Sequence, residues 1–199
     1  MVTVTGTVSA AALVGEPAPV EGATVSVLGT SNTATTDAQG NFSVMAPTGT
    51  VMFLNTADGN WGSLFAETVP PGGMSGLDIE VIPDALVDGL AGALGTAADP
   101  SKGIVAVTFD EDTAVGGETA SISANSDLSF VFNAADDPEE SDTLIAGGGS
   151  EVIFLNVDVA SAVTATATNA ATQPCSPELP DATHSVQAKV LTEIYVVCP

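Results

Sequence analysis

The stretch PVEGATVSVLGTSNTATTDAQGNFSVMAP, residues 19–47, decides the fold. It opens on a turn rich in Pro and Gly, then runs into ATVSVLG, residues 23–29, where Val alternates with small polar residues. That period of two marks a strand with one buried face. The remainder, residues 33–47, reads as a strand, a four-residue turn at Asp37-Ala38-Gln39-Gly40 and a returning strand. An Asp hydrogen-bonds its own backbone in such a turn, and Gly takes positive φ at little cost.

The same alternation continues outward. VTVTGTV (residues 2–8) reads as a strand and GEPAPVEG (15–22) as a turn, with further strands at 50–56 and 77–82. Beyond the middle of the chain, strands are expected at 103–110, 114–123, 127–134, 151–157, 161–169 and 185–198. In the third of these, Leu128, Phe130 and Phe132 share a face. The acidic run DDPEESD, residues 136–142, reads as an exposed loop. One segment has a different period. PDALVDGLAGALGTA, residues 83–97, places Leu86, Leu90 and Leu94 four apart, with Pro83 and Asp84 suited to a helix start and Gly95 to its end. The expectation is an all-β chain of tandem antiparallel sandwiches, residues 1–82 and 99–199, joined by a short helix at 83–98. An internal repeat supports two modules: VEGATVSV matches VGGETASI, position 20 falling on position 115, an offset of 95.

Six pieces in order then resemble the carboxypeptidase regulatory-like family: GTV (6–8), PVEGATVSV (19–27), TTDAQGNFSV (35–44), PTGTVMF (47–53), ADGNW (57–61) and GLDIEVIP (76–83). The resemblance covers residues 1–82. It implies a transthyretin-like (prealbumin-like, immunoglobulin-like) sandwich, usually a folding or interaction module rather than an enzyme. The second module resembles the same fold more loosely and lacks a counterpart of DAQGNF.

Composition limits the chemistry. The 199 residues carry 25 acidic side chains against two lysines, a formal net charge of −23. Such a surface repels nucleic acid and anionic membranes, because phosphate binding needs clustered Lys and Arg. With one His, the chain falls short of the ligands a zinc carboxypeptidase requires. His184, in the loop PDATHSV, reads as a solvated or capping residue, and G-x-S-x-G is absent. One Trp and one Tyr leave little aromatic platform for a glycosidase cleft.

The remaining candidates are a disulfide, a cation and a sugar. Cys175 and Cys198, neither in a CxxC pair, read as a disulfide tying the loop near 174–180 to the last strand, and so as an oxidising compartment. Asp110 and Asp112, and the set Asp136, Asp137, Glu139 and Asp142, offer the hard oxygen ligands that Ca²⁺ takes, without an EF-hand pattern. Trp61 in GNWGS is placed for stacking on a sugar or for packing. No other cofactor is expected. No apolar run is long enough to span a membrane. Met1 leads straight into the first strand and is read as standing in place of a removed export signal. The sequence thus points to an exported structural or interaction module of the periplasm or cell surface, with an unidentified protein or glycan partner.

Overall fold

The turn at Asp37 forms as its residues require. Asp37 Oδ1 accepts the N–H groups of Gln39 and Asn41 at 2.9 and 2.8 Å, and Gly40 closes the turn at φ 77°. In the computed structural model, which describes residues 1–12, 16–110 and 114–199, this turn sits in the first of two units, Met1–Val87 and Asp88–Pro199.

The first unit contains β1 (Val2–Ala10), β2 (Ala18–Pro19), β3 (Thr24–Val27), β4 (Thr33–Thr35), β5 (Asn41–Ala46), β6 (Gly49–Thr56), β7 (Asn60–Val69) and β8 (Met74–Pro83). One layer is β5-β1-β8, with β2 against the end of β1; the other is β4-β3-β6-β7. Between them lie Val4 and Val8 of β1, Val25 and Val27 of β3, Phe53 of β6 and Ile79 of β8. Phe53 and Phe65 face each other across β6 and β7 with ring centroids 5.7 Å apart, a stacked cross-strand pair. Gly6 is required by close approach: a Cβ there would lie 1.9 Å from the Leu77 carbonyl oxygen, beside the register shift between β1 and β8.

Helix α1 (Asp84–Ala93) follows. It is shorter than expected at its C-terminal end. Its buried residues are Val87 and Ala91, while Leu86, Leu90 and Leu94 are half-buried.

The second unit contains β9 (Gly103–Phe109), β10 (Thr119–Ile122), β11 (Leu128–Phe132), β12 (Pro138–Glu140), β13 (Glu151–Val157), β14 (Ala160–Val163), β15 (Ala165–Thr168), β16 (Ser176–Pro177), β17 (His184–Val186) and β18 (Val190–Val197). Its main sheet runs β12-β11-β13-β9-β18, with β16 on the end of β18. Two short pairs, β10-β15 and β14-β17, supply Ala120, Ala167, Val163 and Val186 to a core with Val107, Val131, Val152 and Ile194 of the main sheet.

Several expectations are corrected. The sheets are not wholly antiparallel: β1 runs parallel to β8 and β9 parallel to β18. A parallel pair needs a long crossover, and here the intervening strands of each unit provide it. Trp61 and its neighbours, outside every expected strand, form the start of β7, a ten-residue strand with six consecutive buried residues. A strand covered on both faces shows no alternation, so its period is hidden. The acidic run is not wholly a loop, because β12 pairs with β11 there. Charged residues suit such an edge strand, where they discourage pairing with other chains. Residues 161–169 divide into β14 and β15, which pair with different partners. The offset of 95 carries β3 onto β10 residue for residue, yet β3 pairs with β4 and β6, and β10 with β15.

Candidate functional site

The acidic candidates do not converge. Asp110 follows the end of β9 and is exposed, and Asp112 lies outside the described residues. Asp136, at φ 59°, and Asp137 occupy a turn organised by Asn133, whose Oδ1 accepts the N–H groups of Ala135 and Asp137 at 2.9 and 3.2 Å. Glu139 and Glu140 lie on β12 opposite Val131 and Phe130, and successive strand side chains point to opposite faces. Asp142 accepts the Thr143 hydroxyl at 2.9 Å. Among the described residues no group of three or more His, Cys, Asp or Glu is arranged to hold a metal ion.

The aromatic and cysteine candidates take structural places. Trp61 is 2% exposed and offers no open ring face to a sugar. Cys175 and Cys198 form a disulfide with Cα atoms 4.2 Å apart, and both pack on the second unit's core. The disulfide joins the segment after β15 to the end of β18, beside a hairpin turn in which Asn169 Oδ1 accepts the N–H groups of Ala171 and Gln173. His184 is neither solvated nor capping. It lies on β17 opposite Val163, 8% exposed, and burial holds its imidazole below the ordinary pKa of 6.5.

Two polar arrangements escaped the sequence reading. The first surrounds Lys102, whose Nζ lies 3.0 Å from Asp127 and 3.3 Å from Asp158. Asn156, buried at a bulge in β13 with φ 54°, donates to Asp127 Oδ2 and to the Ala97 carbonyl, and its Oδ1 accepts the Asp99 N–H at 2.8 Å. Hydrogen bonds from Lys102, then from Asn156, hold the Asp127 carboxyl below the usual range; those to Asp127 and Asp158 raise the Lys102 ammonium. Every member is tied to another member or to backbone, which makes this a clamp on the segment entering β9.

The second centres on Glu118, 3% exposed. Its Oε1 accepts the Val115 N–H at 3.0 Å and its Oε2 the Gly116 N–H at 2.8 Å. Beside it is a cavity of about 240 Å³ walled by Phe109, Ala114, Val115, Ala171 and Cys198. The repeat contained the signal: the offset of 95 sets Glu118 against Ala23, a fully buried position. A carboxylate where the alternation calls for an apolar residue marks a site that needs partners.

No protein-family model and no curated protein matches the chain, so the carboxypeptidase regulatory-like resemblance rests on the six sequence pieces. Three solved structures show distant likeness. A chain of the type II cohesin–X-dockerin complex of Acetivibrio cellulolyticus is 23% identical over 45% of this chain and 62% of that one, with a TM-score of 0.36. The Bacillus anthracis TIE protein is 13% identical over 98% of this chain and 33% of its own, at 0.34. The shaft pilin spaA of Lactobacillus rhamnosus GG is 12% identical over 98% and 97%, at 0.31. This chain therefore spans less than two thirds of the first two. Likenesses this distant carry no information on what the chain binds.

Proposed function

We propose that the chain is an exported, non-catalytic structural or interaction module, a pair of β-sandwiches working in the periplasm or at the cell surface. The observation that carries the reading is how four of its buried polar side chains are used. Thr36, Glu118, Asn156 and Thr192 each bond backbone groups that would otherwise be left without partners. The one imidazole is buried opposite a Val, out of reach of a substrate proton. The Cys175–Cys198 disulfide supports export, since such bonds persist in oxidising compartments.

Fractionation of producing cells tests this. The chain is expected in the osmotic-shock fluid, the medium, or accessible to antibody on intact cells. Recovery only from the cytosol, or hydrolytic turnover that disappears with His184→Ala, would overturn the reading.

A further inference from the structure

We propose that the cavity beside Glu118 receives an aliphatic ammonium group, the side chain of a lysine on a partner polypeptide. Among the described residues each carboxylate oxygen of Glu118 accepts a single backbone N–H. An ionised carboxylate has about four acceptor positions, so these two bonds use half its capacity. Among the described residues no cation stands in the cavity wall, and Lys102 is paired elsewhere, with Asp127 and Asp158. A buried carboxylate without a counter-charge is costly, and two backbone donors offset only part of that cost.

The cavity supplies the rest of the chemistry. Phe109, Ala114, Val115, Ala171 and Cys198 give it apolar walls, and its volume of about 240 Å³ lies below the roughly 300–1,000 Å³ of drug-sized sites. That space suits one side chain. A lysine fits because its methylene stem buries against apolar surface while its ammonium donates three hydrogen bonds. An inorganic cation fits poorly, since Ca²⁺ takes six to eight oxygens and, among the described residues of the wall, Glu118 alone has a carboxylate side chain. The net charge of −23 draws lysine-bearing partners toward the chain before any contact forms. Such a site holds or fails wherever the chain resides.

The test is a titration of ¹⁵N-labelled chain with N-acetyl-lysine methylamide, in about 0.15 M salt to suppress diffuse attraction. Saturable shifts are expected at the amides of Val115, Gly116, Ala170 and Ala171. Affinity should fall at least tenfold for the norleucine analogue, which keeps the stem and lacks the charge. Glu118→Gln should cause a similar loss. Because Glu118 also holds two backbone groups, Ala171→Leu provides a second variant that fills the cavity and leaves the carboxylate in place; it too should abolish the shifts. Absent shifts, or shifts spread over residues 136–142 and insensitive to either variant, would overturn the proposal.

Discussion

The hydroxyl of Thr36 donates to the carbonyl of Val20 across 2.6 Å, and in return accepts the N–H of Ala23 at 2.9 Å. This 4%-exposed residue thereby joins the turn before β3 to the strand that precedes the Asp37 turn. The two sequence pieces that announce the fold are thus joined by this side chain as well as by the pairing of β3 with β4.

Thr36→Val keeps the shape and removes both bonds, leaving a buried donor and acceptor without partners. It should cost about 1–3 kcal/mol in chemical denaturation, while Thr36→Ser costs a small fraction of that. Equal losses for the two variants would show that the methyl group matters as much as the hydroxyl's two bonds.

Gly6→Ala tests the parallel pairing of β1 and β8. The added methyl meets the Leu77 carbonyl at 1.9 Å, and neither backbone yields easily. Destabilisation of at least about 1–3 kcal/mol is expected, measured as a lower midpoint in urea. An unchanged midpoint would place the two strands farther apart.

The buried His184 makes stability depend on pH. Its native pKa lies below the ordinary 6.5, so the unfolded chain takes up the proton first. Stability is therefore full above the ordinary value and falls as pH drops through it toward the native pKa. His184→Leu should flatten melting temperature between about pH 7.5 and 5.5, above the range where carboxylates titrate. A wild-type curve already flat in that window would contradict this.

Self-repulsion should make the chain salt-sensitive. With a net charge of −23, its melting temperature is expected to rise between about 0.05 and 1 M NaCl as the Debye length contracts. CaCl₂ at equal ionic strength should give the same rise. A larger rise with CaCl₂ that is lost in Asp136→Asn would instead establish a calcium site in the acidic run.

Replacing both cysteines, Cys175→Ser with Cys198→Ser, should cost about 3 kcal/mol by the loop-entropy relation for their separation of 23 residues. Reductant should lower the wild type to the level of the double variant and leave the variant unchanged.

The legible parts of the fold were those with one wet face. β3, β5, β6 and β8 alternate cleanly, and the Asp37 turn announces itself through Asp and Gly. β7 stayed hidden because burial of Trp61 through Ala66 erased its period. β12 was masked by its charges, which at a sheet edge are compatible with strand. The parallel pairings lay beyond reach because strand direction is set by the path of the intervening chain, which alternation does not record. The disulfide was legible from two cysteines with no other chemistry to serve. The Lys102 clamp was not, because Lys102, Asp127, Asn156 and Asp158 meet only through the bulge at Asn156. His184 was misplaced because its three-residue strand is too short to show a period.

The proposal of export is tested most directly by the state of the chain's thiols in the cell. Protein taken from producing cells under alkylating, non-reducing conditions should carry no label on Cys175 or Cys198 by mass spectrometry, and both labels only after reduction. Label on both cysteines before reduction, in folded protein from living cells, would contradict maturation in an oxidising compartment and with it the reading of this chain as an exported module.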